Sequence, residues 1–118
     1  MTPTTKCIDG AITSDGALYC IGSNLDVYQW TGTTWTCIRA LADADTLAAA
    51  SGNKLVIVNS SNNMYAWTGG TTWGQVTGLG FTPKNWISSV SIGDDGSMSI
   101  MDTSYNVHIS HDRGGHLD

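Results

Sequence analysis

The segment LYCIGSNLDVYQWTG at residues 18–32 returns as LVIVNSSNNMYAWTG at residues 55–69. Laid over each other without a gap, Leu18 falls on Leu55, Val27 on Met64, Tyr28 on Tyr65 and Trp30 on Trp67, each pair 37 positions apart. A weaker third copy, MSIMDTSYNVHISHD, begins at Met98 and places Val107 on Val27 and His108 on Tyr28, at a spacing of 43 from the second copy. A unit this short cannot bury an apolar face by itself. Repeats of several short strands must therefore stack or ring around an axis, which leaves few all-β architectures open.

Each copy carries the same order of strands and turns. In the first, the pattern predicts strands at 10–14, 17–22, 26–31 and 34–38. Asp15-Gly16 supplies the positive φ that a tight hairpin needs, and Val27 and Gln29 alternate with Tyr28 and Trp30 at a period that fits a strand. The second copy predicts strands at 47–51, 54–58, 63–68 and 72–77, and the third at 86–92, 97–101 and 105–110. Residues 39–46, RALADADT, read as a linker loop with at most one helical turn, and 78–85, GLGFTPKN, as a second linker.

The third copy stops one strand short, whereas the N-terminus has one to spare. Thr4-Thr5-Lys6-Cys7-Ile8 is similar to Thr33-Thr34-Trp35-Thr36-Cys37-Ile38, the fourth strand of the first copy. An open edge invites pairing, so residues 4–8 are expected to complete a C-terminal blade, that of a partner chain. Three blades are too few for a propeller, which closes with about 4–8; a two-fold homodimer would supply six. The expected fold is thus an all-β propeller with three four-stranded blades per chain and six in the dimer. A single domain would hold repeats at about 7–40, 46–78 and 86–112. The alternative is a β-trefoil, which closes three such repeats as a monomer.

Composition narrows the partners. With 118 residues the chain has room for one modest core, and 41% hydrophobic against 13% charged residues is not a disordered composition. A net charge of −5 and only five Lys and Arg disfavour a nucleic-acid partner. No apolar run approaches the roughly 18–20 residues of a membrane span. MTPTTKC lacks the apolar centre of a signal peptide, which leaves cytoplasmic and secreted locations both open. Cys7, Cys20 and Cys37 are an odd set without metal spacing. They read either as small core hydrophobes or as one disulfide with a leftover thiol.

Catalytic chemistry has no motif here: no GxSxG, no phosphate-cradling GxxxxGK and no recognisable Cys–His pair. His108, His111 and His116 lie near Asp112 and Asp118 without coordination spacing, and Asp94-Asp95-Gly96 falls short of a calcium loop. The expectation is a non-enzyme without metal or cofactor.

DGALYCIGSNLDVYQWTGTTW and GNKLVIVNSSNNMYAWTGGTTW resemble tectonin repeats. Both have an apolar strand after a Gly-containing turn, a polar turn, an aromatic strand ending in Trp, a Gly turn and a second Trp. In the third copy the resemblance holds through Asp95-Gly96, Met98 and Val107, but Ser110-His111-Asp112-Arg113-Gly114 replaces the Trp element. The resemblance implies a β-propeller lectin, of a family in which some members recognise methylated or microbial glycans in innate defence. A sugar asks for an aromatic face and a few convergent polar groups. Trp35, Trp73 and Trp86, next to loops, are the aromatic candidates ahead of Trp30 and Trp67. Asn24, Asp26, Asn62, Asn63 and Asn106, in the turns between second and third strands, are the polar ones; each is also a good turn former. Several equivalent sites would add avidity to weak monosaccharide binding. The rival reading is a structural or protein-interaction propeller whose Trp residues pack between blades.

Overall fold

Each repeat reverses its chain at matching places, and the backbone there is in the left-handed region. The computed structural model describes residues 6–76 and 87–110, with the side chain of Ser110 excepted. The first reversal puts Gly16 (φ 89), Asn53 (φ 60) and Gly96 (φ 88) at matching positions, and the second does the same for Leu25 (φ 66), Asn62 (φ 65) and Tyr105 (φ 68). Gly and Asn accept this conformation readily, whereas Leu25 and Tyr105 hold it at a cost of order 1 kcal/mol. Backbone bonds closing each second turn offset that cost: Gly22 N to Asp26 O (2.9 Å), Asn59 N to Asn63 O (2.8 Å) and Asp102 N to Asn106 O (3.0 Å). The Asn59 side-chain Oδ1 also accepts from Ser61 N and Asn63 N, and the Asp102 carboxylate from Ser104 N and Asn106 N. Gly22 has no such side chain, and Asn24 substitutes by accepting from Asp26 N.

Among the described residues these turns connect eleven strands. β1 (Cys7–Ile12), β2 (Leu18–Gly22), β3 (Val27–Trp30) and β4 (Trp35–Arg39) form the first antiparallel sheet. β5 (Ala44–Ala50), β6 (Lys54–Asn59), β7 (Met64–Gly69) and β8 (Thr72–Gln75) form the second. β9 (Ile87–Ile92), β10 (Met98–Asp102) and β11 (Val107–Ser110) form the third. Among the described residues strands pair only within their own repeat, which sets the arrangement apart from a trefoil with its shared barrel. The opening strands β1, β5 and β9 lie side by side, with β5 packed against both of the others. The result is an all-β fold of three antiparallel sheets arranged like propeller blades.

Two cores lie in the two gaps. Between the first and second sheets, Tyr19, Ile21, Val27 and Ile38 meet Leu47, Leu55 and Ile57. Between the second and third, Ala48, Val56, Val58 and Met64 meet Val90, Met98 and Ile100. The uninterrupted LVIV run of β6 follows from this: the middle sheet is covered on both faces, so Leu55, Val56, Ile57 and Val58 are all buried. Each such side chain contributes about 1.5–3 kcal/mol of transfer free energy.

Two segments depart from the sequence reading. β1 starts at Cys7, so Cys7 and Ile8 open the first sheet's own first strand; Thr4 and Thr5 lie outside the described residues. β5 starts at Ala44, inside the stretch read as a linker. Ala44 N donates to Leu25 O (3.0 Å), and a bulge between Ala44 and Thr46 restores the register. Propensity pointed to loop or helix there, and cross-repeat hydrogen bonding overrode it. Of the two cysteine readings, one bridge with a leftover thiol holds: Cys7 and Cys20 join β1 to β2, and Cys37 is reduced.

Candidate functional site

The gap between the first two sheets opens outward into a cleft of about 590 Å³. Its floor is built around a cation. Arg39 ends β4 next to core residue Ile38 and is itself buried, a position that a guanidinium tolerates only when paired. The loop after it turns at Ala42 (φ 53), held by Ala42 N donating to Asp26 Oδ1 (2.9 Å), and brings back Asp43. Arg39 then donates twice, Nε to Asp43 Oδ1 (3.0 Å) and Nη2 to Asp43 Oδ2 (2.8 Å), the bidentate geometry in which a fork meets a carboxylate. These hydrogen bonds hold the Asp43 carboxyl below the ordinary carboxylate range, against the opposing effect of burial.

The second sheet closes over the guanidinium. Tyr65 on β7 and Trp73 on β8 set their rings 4.6 and 5.3 Å from its central carbon, within cation–π range. Trp73 Nε1 donates to Ile38 O (2.8 Å), tying β8 to β4. Ala40, Leu41, Thr71 and Thr72 form the rest of the wall, together with Cys37, whose thiol burial pushes up and so keeps protonated and weakly nucleophilic. Leu41 is 65% exposed at the mouth. With the buried cation neutralised by Asp43, the cleft presents aromatic, aliphatic and hydroxyl surface with little net charge. That surface suits an uncharged, apolar segment of chain; the Thr72 hydroxyl already donates to Gly69 O (2.8 Å).

The residues singled out from sequence are not gathered there. Of those among the described residues, only Trp73 lines the cleft. Trp35 lies on the opposite face of the first sheet, its ring 5.3 Å from that of Trp30. Trp86 lies outside the described residues. Asn24 donates to Tyr28 Oη (2.7 Å), and Asp26 braces the Ala42 turn. Asn62 Oδ1 accepts from Ile87 N (2.7 Å), linking the second turn of one repeat to the first strand of the next. The backbone N–H groups of Asn63 and Asn106 belong to the turn caps described above. Arg39, Asp43, Tyr65 and Leu41 were not singled out. Their one sequence signal is the i, i+4 spacing of Arg39 and Asp43 in a chain with only five cations.

A second polar cluster joins the three first hairpin turns. Ser14 and Ser51 hydroxyls bond each other, Asp94 accepts from Ser51 N (3.0 Å) and the Ser14 hydroxyl (3.3 Å), and Asp15 accepts from Gly52 N (3.0 Å). Hydrogen bonds from Thr13 and Gly52 hold the Asp15 carboxyl below its ordinary value. These carboxylates are consumed in fastening turns. Among the described residues no group of three or more His, Cys, Asp or Glu could hold a metal ion.

No family model matches the chain, and no curated protein matches it. Solved structures do. YCF48 from Cyanidioschyzon merolae superposes with a TM-score of 0.74 at 19% identity, covering 100% of this chain and 38% of that one. YCF48 bound to D1 peptide gives 0.73 at 18% identity, covering 98% of this chain and 40% of that one. The chain thus spans about two fifths of the solved chains it matches, and the likeness is one of fold. It corrects the tectonin resemblance. Two of the folds similar to this chain are YCF48 structures, one of them in complex with D1 peptide, and the lectin function and glycan partners that rested on the tectonin likeness fall with it. The physical reason for the mistaken likeness is that Trp-Thr-Gly turns between aromatic strands serve blade-to-blade packing, as Trp67 and Trp73 do here, whatever the protein binds.

Proposed function

We propose that the protein is a non-enzymatic protein-interaction module that takes an extended, apolar segment of a partner in the cleft between its first two sheets. The observation that carries this reading is the neutralised floor of that cleft, with Arg39 clamped by Asp43 under Tyr65 and Trp73. Aromatic rings joined to hydroxyls are a common lining of peptide grooves, since they give contact area at low entropic cost and leave polar handles for the backbone. A YCF48 structure in complex with a peptide lends the fold a precedent for such a ligand. We further read the three sheets as blades of an incomplete ring that six sheets, from two copies, would close.

Selection of a displayed peptide library on the immobilised protein tests the cleft. Enriched peptides should lose at least about tenfold in affinity on Leu41→Asp, about 1.4 kcal/mol, because that change puts a charge at the mouth without touching the core. Peptides whose binding ignores Leu41→Asp would contradict the reading.

A further inference from the structure

The face of the second sheet that packs on the first is built from Leu55, Tyr65, Trp67 and Trp73, with Ala49 partly buried beside them. The repeat places Leu18, Tyr28, Trp30 and Ile12 at the same positions on the outward face of the first sheet, and Trp35 pairs with Trp30 there as Trp73 does with Trp67. No second sheet covers that face among the described residues: Cys20 and Tyr28 at its centre are buried within the sheet's own surroundings, whereas Ile12 is 74% and Trp30 38% exposed on it. At the other end of the molecule the relation is reversed. Val107 is the counterpart of Val27 and Met64, both fully buried in junctions, yet it is 55% exposed, and Ile109 beside it is 39% exposed. Among the described residues, the first sheet thus presents a face that in the next repeat receives a preceding sheet, and the third sheet a face that elsewhere receives a following one.

We propose that these two faces dock on each other between copies, the third sheet of one chain lying against the first sheet of a second, head to tail. The two junctions inside the chain supply the template, since each joins the same two kinds of face. Sizes also compensate. Ile12 is larger than its counterpart Ala49, and Ser99 is smaller than its counterpart Tyr19. A hollow of about 370 Å³ borders Ser99 and Ile109 on the third sheet, space for an aliphatic side chain from the opposing sheet. A contact between unlike faces can repeat and closes into a ring when its rotation allows. The inference rests on reading the sheets as blades and is independent of the peptide cleft.

Native mass of the full chain and of two variants provides the test. Trp30→Glu and Val107→Glu each place a charge on one of the two faces at an exposed position, and circular dichroism checks that both variants fold. The wild type should run at twice the 12.5 kDa of one chain, and each variant alone at one chain, with association weakened at least about tenfold. Mixing the two variants should restore a two-chain species, because the intact first sheet of Val107→Glu can still meet the intact third sheet of Trp30→Glu. A folded wild type that runs as a single chain overturns the proposal. So does a Val107→Glu protein that remains paired, or a mixture that shows no restored species.

Discussion

The two tryptophan pairs are written almost alike and sit in opposite surroundings. Trp30 and Trp35 face each other across β3 and β4, as Trp67 and Trp73 do across β7 and β8. In the second sheet the pair is spent on the neighbour: Trp67 meets the edge of Tyr19 at 5.9 Å, and Trp73 caps Arg39 and bonds Ile38 O. In the first sheet the two rings lie 5.3 Å apart and Trp30 reaches solvent. A repeated motif thus fixes a face of a sheet, while the neighbour decides whether that face is core. This is also why a motif of this kind is a poor guide to ligand chemistry.

The largest difference between the pairs should appear on truncation. Trp73→Ala removes an aromatic from a packed junction, leaves Ile38 O without its donor and uncovers Arg39, so a loss of about 3–5 kcal/mol is expected. Trp35→Ala should cost only about 1 kcal/mol in dilute, single-chain protein. Urea denaturation of the two variants checks this, and equal losses would break the comparison.

Next in size is the clamp beneath Trp73. Asp43→Ala strands a buried guanidinium and should cost about 3 kcal/mol. The acid limb gives an independent reading. Because the folded carboxyl lies below its unfolded value of 3.8, its stabilisation is present above about pH 4 and is lost as pH falls through the lower folded value. Asp43→Asn should therefore flatten the decline of denaturation midpoint in acid, whereas a decline identical to wild type would remove Asp43 from that role.

The smallest effect compares matching turn positions. Leu25 holds a left-handed conformation that Asn62 holds at less cost, so Leu25→Asn should raise stability by about 0.5–1 kcal/mol. Asn62→Leu should lower it by more, because Ile87 N also loses its acceptor. Thermal melts of both variants decide it.

Much of the strand order could be read from the sequence because the strands are short and recur at fixed spacing, and the first hairpin turn of each repeat carries Gly or Asn where φ is positive. The departures share a cause. Ala44–Thr46 joins a strand through a bond to Leu25 O in the previous repeat, and Cys7–Asp9 joins one through pairing with Ile21 and Gly22; neither partner is visible in local composition. The cleft escaped for the same reason. Arg39, Tyr65 and Trp73 lie on different repeats and converge only when two sheets pack, while Asn24, Asp26 and Asn62, which looked like ligand groups, are occupied in holding turns.

The most direct test of cleft binding is amide hydrogen exchange on the protein with and without a library-selected peptide. Binding in the cleft predicts slowed exchange across residues 37–43 and 65–73, with little change at Trp30 and Trp35. Protection confined to the outward face of the first sheet, or none in the presence of saturating peptide, would contradict it.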